Sequence, residues 1–245
     1  MLNPNDLLII TPHPGLEIPP DIDGHNINPD IADDLFIPVD KDTDQLYKIP
    51  GIQQFIFPYL RSLIDVNQVP DDLDNSCPDK TIYDDNIFLN DYTLKQRKYF
   101  IEKYHNAFHD DIIDYLGRHH PRLIIDGHST HDNDVDDYGD RFSGDITISN
   151  LQITDQDSNW MTKTCSNELI EYFAGCLDEH GILCKVNTDY LVNTYGYIEE
   201  LYSKRFGIPL ILIECNQRLY DGNIANVNAI LYKSIDKTLE WMREQ

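Results

Sequence analysis

The sequence predicts a single α/β domain, with a mainly parallel or mixed central sheet flanked by helices on both faces. Three observations carry that prediction. Short aliphatic runs, Leu7-Leu-Ile-Ile10, Leu123-Ile-Ile125 and Pro209-Leu-Ile-Leu-Ile213, have the length and unbroken apolar character of strands buried on both sides. Between them lie longer segments whose apolar residues recur at helical spacing. The alternation occupies 245 residues with no linker composition, which suits one domain over residues 1–245.

The first strand opens at Leu7 and stops at Thr11-Pro12. Residues 11–50, rich in Pro and Asp, lack a helical period and are expected to be loops partly draped over the sheet. Leu60–Asn67 reads as a second strand. Phe100, Tyr104, Phe108, Ile112 and Leu116 recur every four residues, predicting a helix over 94–116 with Gly117 as its stop. The Leu123 strand follows. A second helix is expected from about Asn159 to Glu179, capped by Asp157 or Ser158 and ended by Gly181. Ile182–Asn187 reads as a strand, and Tyr197–Phe206 as a short helix stopped by Gly207. Pro209–Glu214 is the third strongly apolar strand, and a last amphipathic helix covers 225–242.

The formal net charge is -24, from 43 acidic and 19 basic residues. A chain so acidic lacks the basic face that nucleic-acid binding needs and is disfavoured at anionic membranes, so neither partner is expected. The run Asp132–Asp137 reads as a solvated loop. Five cysteines with no Cys-x-x-Cys pair suit a reducing compartment and give no thiolate metal site. No secretory signal or membrane span is legible, so a cytoplasmic protein is expected.

Ligands gather where the strands of such sheets end. The first strand delivers His13, the Leu123 strand runs into Asp126-Gly-His128-Ser, and the 209–214 strand ends in Glu214. A metal ion held by two histidines and a carboxylate polarises an amide carbonyl and keeps a position open for water. A separate glutamate can take the water's proton and pass it to the leaving amine. Glu214 is the most diagnostic carboxylate, because burying one unpaired is expensive. Glu17, four residues after His13, and Asp40 are both candidates for the third ligand. His105 and His109 have zinc-helix spacing but lack the glutamate of His-Glu-x-x-His, which favours structural roles, with His105 a possible support to a ligand. His119 and His120 read as surface residues. No Gly-x-Ser-x-Gly elbow or P-loop is present.

These residues resemble the N-formylglutamate amidohydrolase family, whose fold is zinc carboxypeptidase-like. Thr11-Pro-His-Pro-Gly-Leu-Glu-Ile-Pro19 is similar to its Pro-His-x-Gly…Pro segment. Asp40-Lys-Asp-Thr-Asp-Gln-Leu-Tyr47 resembles its Asp-x5-Leu-Tyr, and Arg61-Ser-Leu-Ile-Asp-Val-Asn67 its Arg-x3-Asp-x-Asn. Tyr104-His105, Leu123–Ser129 and Ile211-Leu-Ile-Glu214…Tyr220 continue the match in order, from about residue 9 to 221. The resemblance implies zinc or another divalent metal on His13, His128 and a carboxylate, with Asp40 narrowly preferred to Glu17. It implies Glu214 as general base and Arg61 on the substrate, where a guanidinium suits a carboxylate. Asn67 and Arg205 are expected to join Arg61 in binding substrate.

Two departures fall in the expected pocket. Gln68 follows Asn67 where the family has an arginine. A longer Asn193–Tyr202 segment with one glycine replaces Gly-Gly-Tyr-Ile-Thr-Arg, placing Glu199 and Glu200 near a family cation, with Lys204-Arg205 in partial compensation. The expected function is metal-dependent hydrolysis of a small N-acyl amino acid, N-formylglutamate being the type. A peptidase acting on short peptides and a catalytically silent binding protein are the alternatives.

Overall fold

The computed structural model describes residues 2–131, 144–155, 158–187 and 196–245. The Asp132–Asp137 run, the Asp157 cap and residues 193–195 lie outside them. The strands are β1 (Leu7–Thr11), β2 (Gln53–Ile56), β3 (Leu123–Thr130), β4 (Ile146–Ser149), β5 (Leu151–Asp155), β6 (Ser158–Lys163), β7 (Cys184–Val186) and β8 (Leu210–Asn216). Six form one sheet in the order β2-β1-β3-β8-β4-β7, while β5 and β6 make a separate antiparallel pair. β2, β1, β3 and β8 run parallel, and β4 turns antiparallel to β8. The sheet is therefore mixed, and its centre is β3, buried at all eight positions.

The helices are α1 (Thr43–Leu46), α2 (Leu73–Ser76), α3 (Leu94–Phe100), α4 (Ala107–Arg118), α5 (Asn167–Asp178), α6 (Tyr197–Glu199), α7 (Gln217–Tyr220) and α8 (Ile224–Glu244). A π-helical stretch, Ile101–Asn106, joins α3 to α4. Strand side chains alternate between faces. Leu8, Ile10 and Ile124 accordingly pack with Phe100, Phe108, Ile112 and Ile198 on one side. Leu7, Ile9, Ile125 and Ile213 pack with Leu169, Phe173, Leu231 and Leu239 on the other. Fully burying one side chain such as Phe173 contributes about 2–3 kcal/mol relative to exposure.

Three expectations need correction. Leu60–Asn67 is buried turn, not strand; its neighbour Gln53–Ile56 pairs with β1 instead. Its carbonyls are met without a sheet ladder: Leu60 O accepts from Leu63 N and Ile64 N, Asp65 O from Gln68 N, and Val66 O from His109 Nε2 (2.8 Å), while just past the segment His105 Nε2 donates to Gln68 O (2.9 Å). The helix expected from Asn159 starts at Asn167, because Ser166 accepts from Leu169 N and caps it there, leaving Ser158–Lys163 to pair with β5. Gly117 does not stop α4, which ends after Arg118. Gly207 does follow the helix begun by α6, in the left-handed region at φ +64°. Among the described residues no helix is long and apolar enough to cross a membrane.

Candidate active site

His13 follows β1, and Asp40 lies alongside, its backbone N–H donating to His13 O (3.1 Å). Thr43 N and Oγ1 both donate to Asp40 O, which fixes Asp40 just ahead of α1. Asp42 between them has φ +59°, an uncommon conformation for a side-chain-bearing residue next to a candidate site. α1 leads to Tyr47, whose hydroxyl donates to His128 O (2.8 Å) and contacts Ile213 O (3.3 Å). One residue thus ties the Asp40 segment to the ends of both β3 and β8.

His128 stands opposite Glu214 in the β3–β8 register, on the same face. The His13 and His128 rings are 4.9 Å apart. Both Nδ1 atoms turn toward Asp40 Oδ2, at 3.4 Å from His13 and 3.0 Å from His128. His13, Asp40 and His128, all buried, offer ligand atoms within 4.8 Å of one another. Each distal nitrogen is backed by a carboxylate: His13 Nε2 donates to Asp65 Oδ1 (2.8 Å), and His128 Nε2 is 3.2 Å from Asp126 Oδ1. Carboxylates behind imidazoles orient a metal's histidine ligands and raise their basicity. His13 Nδ1 is buried without a hydrogen-bond partner. Two imidazoles and a carboxylate with an orphaned nitrogen between them are a donor set that fits a zinc-like divalent cation.

The electrostatics agree with that fit. Burial raises the Asp40 carboxyl, but hydrogen bonds with His128 and His13 outweigh it and hold Asp40 well below the usual carboxylate range. Asp65 is likewise held low against burial by Arg61 and His13. Burial opposes charge on His128, yet Asp126, Asp40 and Glu214 raise it well above an ordinary histidine. A pocket that draws a proton onto His128 so strongly is one in which positive charge is stabilised.

Burial pushes the Glu214 carboxyl up to about 8 against the pull of His128, and its Oε2 has no hydrogen-bond partner. Arg61 acts on Glu214 through its charge, and its Nη2 donates to Asp65 Oδ2 (2.9 Å). Arg61 also lines a cleft of about 330 Å³ with Asp65 and Gln68.

Asn67 serves α6: its Oδ1 accepts from Ile198 N (3.3 Å) and its carbonyl from Tyr197 N (3.1 Å). Glu17 is exposed and stands outside the His13–Asp40–His128 group. Its backbone is engaged by Pro58 O and Leu60 N, an approach that Gly15 permits, since a Cβ there would sit 2.3 Å from Pro58 C. Arg205 is exposed, its guanidinium 5.6 Å from the Phe206 ring, and is not drawn into this group.

Three residues outside the expected set belong to it. Asp65 lies in the Arg-x3-Asp-x-Asn segment, and Asp126 two residues before His128, where the strand period already puts both on one face. Glu199 is marked in the sequence only as an acidic departure in the expected pocket. It is buried against Gly196 with Oε2 unpartnered, and burial and Asp126 push its carboxyl up to about 8.

The family model of N-formylglutamate amidohydrolase matches residues 5–221. The chain belongs to that family. No curated protein matches the sequence significantly. Among solved structures, N-formylglutamate amidohydrolase from Ralstonia eutropha JMP134 superposes with a TM-score of 0.74 at 16% identity, covering 98% of this chain and 94% of that one. A gene product of Agrobacterium tumefaciens superposes with a TM-score of 0.70, also at 16% identity, covering 97% and 92%. At that identity the superpositions speak to the fold, and they agree with a family member built as one α/β domain.

Proposed function

We propose that this family member is a metal-dependent amidohydrolase that splits an N-acyl amino acid, N-formylglutamate first among them, into a carboxylate and the free amino acid. The observation that carries the reading is the convergence of His13 Nδ1, His128 Nδ1 and Asp40 Oδ2, with a carboxylate behind each imidazole. These three residues would hold the metal, which when bound polarises the acyl oxygen and acidifies a water.

Glu214, one strand over from His128, takes a proton from the attacking water as oxygen bonds to the acyl carbon. It returns that proton to the amide nitrogen as the carbon–nitrogen bond breaks. A carboxyl pushed up to about 8 is suited to both transfers near neutral pH. Arg61 presents its guanidinium to the substrate's α-carboxylate, while Asp65 fixes its position. Asn67 shapes the pocket by holding α6 in place.

The test is a panel of N-formyl, N-acetyl and free dipeptide substrates with zinc-loaded protein. Cleavage of N-formylglutamate with a loss of at least a thousandfold in kcat for Glu214→Gln supports the reading, general acid–base groups contributing roughly 10²–10⁴-fold. Full activity in Glu214→Gln would sink the mechanism, and cleavage of dipeptides alone would sink the substrate.

A further inference from the structure

The cleft beside Arg61 is bounded on its outer side by a short ribbon that the catalytic reading leaves unused. Lys80 and Asn86 pair across it in antiparallel fashion, and Ile87 and Phe88 bury its far end. Thr81 braces the turn, its Oγ1 accepting from Tyr83 N and Asp85 N. Lys80 and Thr81 therefore line, from a supported backbone, the same cleft as Arg61 and Gln68.

The donors in this cleft are unevenly committed. Arg61 is tied to Asp65. The Gln68 carbonyl is taken by His105, but its side-chain amide makes no hydrogen bond among the described residues. Lys80 pairs with Asp84, whose side chain is 83% exposed. An exposed pair of that kind is worth little, so a carboxylate arriving in the cleft can draw the ammonium away at small cost. Of the acids in the lining, Asp65 is engaged by His13 and Arg61, and Asp74 reaches out to Arg97 (3.4 Å). Asp34 remains at the rim, half-buried.

We propose that Lys80 is a specificity-determining residue that, with the Gln68 amide, receives the side-chain carboxylate of an N-acylated acidic amino acid, while Arg61 holds its α-carboxylate. This rests on the amidohydrolase reading above.

The experiment compares N-formylglutamate with N-formylglutamine, which has the same shape and no side-chain charge, in wild type, Lys80→Met and Lys80→Arg. Wild type is expected to prefer the acid. Lys80→Met should reduce the ratio of kcat/KM between the two substrates about two- to fivefold, mostly through KM for the acid, the scale of one partly exposed charge contact. Lys80→Arg should recover most of it. Calorimetry of L-glutamate against L-glutamine, the free amino acids, should show the same loss of preference without turnover. Cleavage of N-formylglutamate with a ratio that Lys80→Met leaves unaltered would overturn the role of Lys80 alone, as would an equal loss on both substrates. Failure of wild type to cleave any N-formyl amino acid would overturn the underlying reading and this one with it.

Discussion

Gly127 lies between Asp126 and His128, the β3 residues of the candidate site, and its missing side chain is what lets Tyr47 pass. A Cβ at Gly127 would stand 2.5 Å from Tyr47 Cδ2, 2.7 Å from Cε2 and 2.8 Å from Cγ. The ring is only 1% exposed and has no open side to swing into. Gly127→Ala therefore forces the ring, or the strand, to shift. Overpacking of this kind costs about 1–3 kcal/mol, and each displaced hydroxyl contact, to His128 O and Ile213 O, about 0.5–1.5 kcal/mol more. With one hydroxyl proton shared between both carbonyls, so that each contact sits at the low end of its range, the sum is about 3 kcal/mol, or a Tm lower by roughly 6–12 °C for a chain of this size.

Urea unfolding of four proteins measures it: wild type, Gly127→Ala, Tyr47→Ala and the double variant. Tyr47→Ala alone should cost about 3–5 kcal/mol. In its background the added methyl has room, so Gly127→Ala should then cost less than about 1 kcal/mol, a coupling of about 2 kcal/mol. Additive losses, or a Gly127→Ala variant within about 1 kcal/mol of wild type, would refute the steric argument. Because Tyr47 also ties the Asp40 segment to β3, the single variant should bind zinc more weakly.

Three further outcomes are expected. Burial holds His109 at about 3, below the ordinary histidine value, so the unfolded chain binds a proton that the folded chain does not. Its stabilising effect is complete above pH 6.5 and is lost as pH falls from there toward 3. Going from pH 7.5 to 5 should remove about 2 kcal/mol through this residue, and His109→Gln should flatten that slope in urea titrations; an unaltered slope would refute it. Asp65→Asn keeps a hydrogen-bond acceptor for His13 but loses its charge and its pairing with Arg61, so zinc affinity should fall 10–100-fold by chelator competition. An unaltered Kd would count against Asp65 as a support. Zinc at a hundred times its Kd should stabilise the fold by about 2.7 kcal/mol, and a chelator should reverse the shift; His128→Ala should abolish the response.

The legible parts of the fold were those whose signal is local. β3 and β8 announce themselves as unbroken aliphatic runs, and α4 and α8 as four-residue periodicities, because full burial demands apolar residues wherever the element lies. β2, with two glutamines in Gln53-Gln-Phe-Ile56, sits at the sheet edge half-exposed and carries no such demand. The 60–67 segment reads as a strand because it is buried, yet turn N–H groups, with Tyr197 N at Asn67 O and His109 at Val66 O, and not a neighbouring strand, satisfy its carbonyls. Strand-like burial and strand pairing are separate properties, and only the first is written locally.

The candidate site divides along the same line. The sequence alone places His13 just past β1 and His128 and Glu214 near the C-terminal ends of β3 and β8, which run on to Thr130 and Asn216, since a strand's period dictates which residues share a face. That Asp40, and not Glu17, lies beside the two imidazoles is visible only in three dimensions. Gly15 lets the 13–17 segment lie against Pro58, which turns Glu17 outward, while Thr43 and the His13 carbonyl hold Asp40 between the two imidazoles. The same holds for Asp65, Asp126 and Glu199. Whether a buried carboxylate backs a ligand or stands alone depends on groups distant in the chain, and those meet only when the sheet and its helices have closed around them.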